Sequence, residues 1–171
     1  HSRNGYGTSA AEAVEERLPP NDPEAEAAVL GSILIDPDAL LEVEGFLRPA
    51  DFYRTANRWV YETILALRAA GTPLDVVMLI GELKRRERLE EIGGEGAVIE
   101  YLNAVPTSIN VEAYGRAVRD AAMRRGLLTA AGRIAKAAYD ESRPVAAVVG
   151  ESEQALFVAT ADMTADDVTP A

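Results

Sequence analysis

Asn110-Val111-Glu112-Ala113-Tyr114-Gly115-Arg116 opens the stretch that decides the fold, which runs on to Ala137-Ala138-Tyr139. Asn110 is a good helix cap. Between Val111 and Tyr139 only Gly115, Gly126 and Gly132 oppose a helix, each by up to about 1 kcal/mol relative to Ala. A helix of roughly thirty residues is long for a globular core. Ser142-Arg143-Pro144 then marks a reversal, and Val145, Val148, Val149, Ser152, Leu156 and Ala159 give a second amphipathic helix. Two antiparallel helices with a short connection make a hairpin over 109–160. Its inner seam can be close, because Ala130, Ala131, Gly132, Ala135, Ala137 and Ala138 carry little bulk. Such a hairpin has more apolar edge than it can hide alone, so a second copy is the expected cover.

Working back from the hairpin, residues 19–108 read as a compact head of several helices. Asn21 or Asp22 caps the first, Pro23 suits its first position, and Ala27, Leu30, Ile33 and Leu34 share a face. Asp36-Pro37 repeats that start signal for a short second helix, with Leu40 and Leu41 expected to face inward and Gly45 to end it. Asp51-Phe52-Tyr53 reads as a turn that plugs aromatic rings into the core. Over 55–70 the spacing of Ala56, Val60, Ile64 and Leu67 is helical, and Gly71 ends the run. Asp75 caps a helix striped by Val76, Leu79, Ile80 and Leu83, with Lys84 to Arg88 as its solvated end. After Gly93-Gly94, Val98, Leu102 and Val105 stripe a last short helix that must end before Pro106. No segment alternates like a strand, so the expected class is all-α, a compact multi-helix head followed by a long antiparallel helical hairpin. Residues 1–18 read as a flexible tail in which His1-Ser2 is a tag or cloning remnant. Residues 161–171, with Asp162, Thr164, Asp166, Asp167 and Pro170, have the composition of a linker leading to a further domain.

Composition narrows the chemistry. The 171 residues include no cysteine, which fits a cytoplasmic protein and removes any disulfide frame or thiolate metal site. The one histidine is His1, so no Ser/His, Cys/His or histidine-metal arrangement can be built. No apolar run approaches the roughly twenty residues of a membrane span, and no signal peptide is visible. A formal charge of −11 argues against a general nucleic-acid coat. That charge is uneven: residues 1–110 hold ten Lys/Arg against nineteen Asp/Glu, whereas 116–136 hold six (Arg116, Arg119, Arg124, Arg125, Arg133, Lys136) against Asp120 alone.

Each candidate for chemistry has a plainer reading beside it. The pairs Glu24/Glu26, Asp36/Asp38 and Glu90/Glu91 could serve as acid and base, but all sit at helix starts or turns where solvation explains them. Neither Gly93-Gly94-Glu95-Gly96 nor Gly71-Thr72-Pro73 supplies the Lys and hydroxyl of a phosphate-cradling loop. Catalytic, metal and cofactor residues are therefore expected to be none, and the chain should not hydrolyse ATP. Trp59 and Tyr61 are candidate exposed aromatics for a partner, although a core role for Asp51-Phe52-Tyr53 and its neighbours leads. The six basic residues at 116–136 are candidate weak DNA contacts. Their spacing gives no single stripe, so a solvated helix face leads over phosphate binding.

The strings Glu24-Ala25-Glu26 with Val29-Leu30-Gly31, Asp51-Phe52-Tyr53, Gly71-Thr72-Pro73-Leu74-Asp75 and Ile92-Gly93-Gly94 occur in an order that resembles one family. It is the amino-terminal domain of the replicative DNA helicase of the DnaB type. The likeness runs from about Leu18 to about Ala159 and takes in Pro106, Asn110, Tyr114 and Arg124-Arg125. One departure stands out: many family members carry His shortly after Asp-Phe-Tyr, where this chain has Ala56-Asn57-Arg58.

The resemblance implies a head and hairpin that pair and assemble, from dimer to hexamer, into a collar through which single-stranded DNA passes. It also implies docking of primase and of a helicase loader, and an ATPase domain elsewhere that uses ATP and Mg2+. The hairpin is the implied interaction surface. Tyr114, Val118, Leu127, Leu128, Ile134, Val148 and Leu156 are its best candidates for self-association or primase docking, because they combine apolar area with helical positions. The helicase-binding domain of primase and a helical transcription regulator are the alternatives. The linker composition at 161–171 speaks against the first, and the acidic surroundings of residues 55–87 against the second.

Overall fold

The computed structural model describes residues 17–106 and 110–161. Among these all regular structure is helical, as the sequence predicts. The helices are α1 (Pro23–Ile35), α2 (Thr55–Ala69), α3 (Val76–Arg85), α4 (Gly94–Asn103), α5 (Val111–Tyr139) and α6 (Val145–Thr160), with 3-10 turns at Pro37–Glu42 and Pro49–Asp51. Most of the expected tail and linker lies outside the described residues.

Capping side chains stand where the sequence places them. Asp22 accepts from the Ala25 N–H at 3.0 Å, Asp75 from Met78 at 2.8 Å and Asn110 from Ala113 at 3.1 Å, each satisfying an amide that the first helical turn leaves open. Gly93 and Gly94 separate α3 from α4 with φ of 110° and 77°, a conformation that side chains oppose.

Contacts divide the chain into two compact units. One is Asn21–Ala122, and the other joins the chain up to Pro20 with Met123 onward. The first unit takes in the opening turns of α5, where Val111 and Val118 are buried with the head's core. At its centre α1 is buried nearly all round, a wider surface than the single face expected of Ala27, Leu30, Ile33 and Leu34. Gly31 makes this close: a Cβ there would collide with the Tyr101 carbonyl oxygen and with Val105. Phe52 and Tyr61 pack as tilted rings 4.9 Å apart, and the Tyr61 hydroxyl donates to the Leu47 carbonyl at 2.9 Å.

Two expectations are corrected here. Tyr61 is fully buried and unavailable to a partner, and burial, with Glu44 and Asp51 adding to it, pushes its phenol well above the ordinary value. Leu41 faces solvent while Leu40 is buried, because the 37–42 segment is a 3-10 turn and not an α-helix. In that turn the inward pair is Ala39 and Leu40, which leaves Leu41 on the outer side.

Candidate interaction surface on the helical hairpin

Two buried polar clusters make the head a firm base for α5. Glu26 of α1 is only 1% exposed. Its carboxylate accepts from the Tyr53 N–H at 2.9 Å, from the Arg54 N–H at 3.4 Å and from Asn57 Nδ2 at 2.9 Å, at the positive end of α2. The Tyr101 hydroxyl donates to Asn57 Oδ1 at 2.6 Å, so α1, α2 and α4 meet in one chain of bonds. Burial pushes the Tyr101 phenol up to about 12. Glu26 is thus an interior anchor and not the solvated acid that its place in a first turn suggests.

The second cluster ties α5 to the Asp51-Phe52-Tyr53 turn. Asp51 accepts from the Arg48 N–H at 2.8 Å and from Arg119 Nη1 at 3.2 Å. Phe52 is fully buried and Tyr53 partly exposed. Nearby, Gly115 lets Phe46 and Val43 approach the helix, and the Arg116 guanidinium lies 3.9 Å over the Phe46 ring.

In the other unit, residues 123–139 of α5 and α6 form the hairpin. Asp140 closes the turn between them by accepting from the Ser142 hydroxyl and N–H, bonds that hold its carboxyl below the ordinary range. Arg143 pairs with Glu151 across the start of α6. Only Ala130, Ala137 and Ala155 are buried along the seam. Large apolar side chains point elsewhere: Val145 is 78% exposed, Phe157 65% and Leu156 49%.

Helical phase sorts these residues into sides. At about 100° per residue, Val145, Val149 and Leu156 fall within roughly 40° of one another, and so do Leu127, Ala131 and Ala138 on α5. Because the two helices are antiparallel across the alanine seam, both sets lie on one broad side of the hairpin, which is mainly apolar, with Arg124 beside Ala131 as its charged member. Thr129, Arg133, Lys136 and Gln154 occupy the other broad side, together with the exposed Val158. Leu128, Tyr139 and Phe157 project from the outer edges.

The residues singled out from sequence therefore separate. Val118 is buried in the head's core and Tyr114 packs partly against it. Ile134 and Val148 are half-buried beside the seam. Leu127 and Leu156 lie on the apolar side, and Leu128 on an edge. Among the basic residues, Arg119 is 6% exposed and bonded to Asp51, which takes it off the surface. Arg116 is held by Phe46 and Glu112, and Arg125 Nη1 donates to the Pro20 carbonyl at 2.9 Å. Arg124, Arg133 and Lys136 are exposed. Sequence reasoning missed Val145, Val149 and Phe157 as surface candidates; the place of Val145 and Val149 near the start of α6 was the available signal, while Phe157 lies near the other end of that helix.

Comparison with known proteins decides the parentage. The family model described as "DnaB-like helicase N terminal domain" matches residues 18–120. This chain belongs to that family. The replicative DNA helicase DnaB of Geobacillus stearothermophilus is 38% identical over 146 residues, which are 85% of this chain and 32% of the relative. The DnaB of Mycobacterium leprae is 38% identical over 143 residues, 82% of this chain and 24% of the relative. Among solved structures, the N-terminal domain of DnaB helicase from Mycobacterium tuberculosis superposes with a TM-score of 0.77 at 38% identity, covering 82% of this chain and 99% of that one. The DnaB-type domain described here thus spans about a third or less of the length of these curated relatives. Among its described residues no cluster of three or more His, Cys, Asp or Glu could hold a metal ion, and no helix is long and apolar enough to cross a membrane.

Proposed function

We propose that this domain is the collar of a hexameric replicative DNA helicase: copies pair through their hairpins, and the assembled collar receives primase and a helicase loader. Unwinding, with its ATP and Mg2+, belongs to the remainder of the protein, and this domain has no catalytic step of its own. The assembled ring surrounds single-stranded DNA, with Arg124, Arg133 and Lys136 as the remaining candidates for weak phosphate contact. It works in the cytoplasm.

The observation that carries this reading is the mismatch between the hairpin's core and its surface. Three alanine side chains are its buried residues, while Leu127, Val145, Val149 and Leu156 stay exposed on one side. A two-helix unit of this kind gains little by folding alone and gains most by burying that side against another subunit. The apolar side also lets two chains of charge −11 meet without opposing carboxylates.

Light scattering across a concentration series tests the proposal. The parent chain should form dimers or larger species, and Val149→Glu with Leu156→Glu should hold it monomeric with its helical circular dichroism retained, whereas Phe157→Glu should not. Primase capture should fall with the double variant. A strict monomer at high concentration removes the reading.

A further inference from the structure

The outward face of α3 carries Val77, Met78, Gly81, Lys84 and Arg85, with no acid among its exposed residues. The outward face of α4 carries Glu95, Gly96, Ile99, Glu100 and Asn103, with no base. Val77 is 76% exposed, Met78 39% and Ile99 45%. The two faces adjoin, because Lys84 Nζ lies 3.3 Å from Glu95 Oε1, and both side chains are so exposed that the pair contributes little to the single head. Arg85 is engaged by Glu82 of its own helix, which leaves Lys84 as the cation that can exchange partners. Gly81 stands inside α3, where it costs about 1 kcal/mol relative to Ala, yet a Cβ there or at Gly96 would meet nothing within 4 Å. Neither glycine serves the packing of its own head, and a bare helix backbone admits the close approach of another chain.

We propose that this α3–α4 face is a second self-association surface, through which the head of one copy pairs with the same face of another. Turned about a two-fold axis, the patch sets α3 of one copy against α4 of the other. Lys84 then meets Glu95 of the partner subunit, Val77 and Met78 meet Ile99 of the partner subunit, and the bare glycines let the helices close. This contact rests on the hexamer proposed above. A surface that pairs with itself is filled by one partner, so hairpin pairing alone stops at two copies and a ring of six needs another contact. The head contact is the weaker of the two, with three exposed apolar side chains per copy. It holds once hairpins are paired, because closing the ring makes its last contact intramolecular.

Light scattering of the domain over a concentration series reads the two contacts apart. The parent should pass from two copies to six, about a threefold rise in mass beyond the pair. Val77→Glu with Ile99→Glu should stop at two with helical circular dichroism as in the parent. Lys84→Glu and Glu95→Lys should each stop at two alone, and mixing these two variants should restore six, because each then meets the opposite charge across the contact. Gly81→Leu should also stop at two while unfolding at the parent's temperature or above, which separates a blocked approach from a damaged head. A parent that never exceeds two copies, variants that reach six as readily as the parent, or a mixture that stays at two overturns the head contact and leaves hairpin pairing standing. A parent that remains a single copy removes both.

Discussion

Arg119 on the long helix α5 places Nη1 3.2 Å from Asp51 Oδ1, and both side chains are almost fully buried. Removing one member of such a pair strands the other charge in the interior. Arg119→Ala should destabilise the head by about 3–5 kcal/mol in urea unfolding. Replacing both residues with apolar side chains of similar volume should cost less than the single change. A single change costing under about 1 kcal/mol would mean water reaches Asp51.

Asn57 bridges Glu26 and Tyr101, so its loss leaves the Tyr101 hydroxyl without its acceptor and takes one of three donors from the Glu26 carboxylate. Asn57→Ala should cost about 1–3 kcal/mol, the cost of a buried group left unsatisfied. Tyr101→Phe removes one bond only and should cost less. Hydrogen exchange at the start of α2 checks the mechanism, since the Tyr53 and Arg54 amides should lose protection with Glu26→Ala and keep it with Tyr101→Phe.

Two glycines in helices should respond oppositely to alanine. At Gly31 a Cβ meets the Tyr101 backbone, so Gly31→Ala should cost at least about 2 kcal/mol by forcing α1 and α4 apart. At Gly132 a Cβ meets nothing within 4 Å, and Gly132→Ala should stabilise the hairpin by up to about 1 kcal/mol through helix propensity. Thermal unfolding of the two variants reads both signs.

Tyr101 sets an alkaline limit. Its phenol moves from the ordinary 10 up to about 12 in the folded chain, so the stability it contributes is complete below pH 10 and is lost as pH rises toward 12. Urea midpoints should fall across that window, and the fall should be shallower in Tyr101→Phe. Tyrosinate absorbance should show Tyr61 and Tyr101 titrating above the ordinary phenol range.

The helices and their ends were legible because their signals are local. Asp22, Asp75 and Asn110 act within three residues of themselves. The polar anchors were not legible for the opposite reason. Glu26 finds its partners 27 to 31 residues away, and Arg119 finds Asp51 at a separation of 68, so in sequence each looks like its solvated neighbours. The hairpin was readable as a pair of rods, but its apolar side needed the seam. Once Ala130, Ala137 and Ala155 define where the helices touch, Val145 and Val149 acquire a direction that periodicity on one helix cannot give.

A hairpin whose fully buried side chains are three alanines also bears on how the domain meets proteases. The exposed turn at Asp140–Pro144, with Arg143 in it, lies between two rods that hold each other weakly. That turn is therefore where proteolytic cutting of the isolated domain is expected to begin.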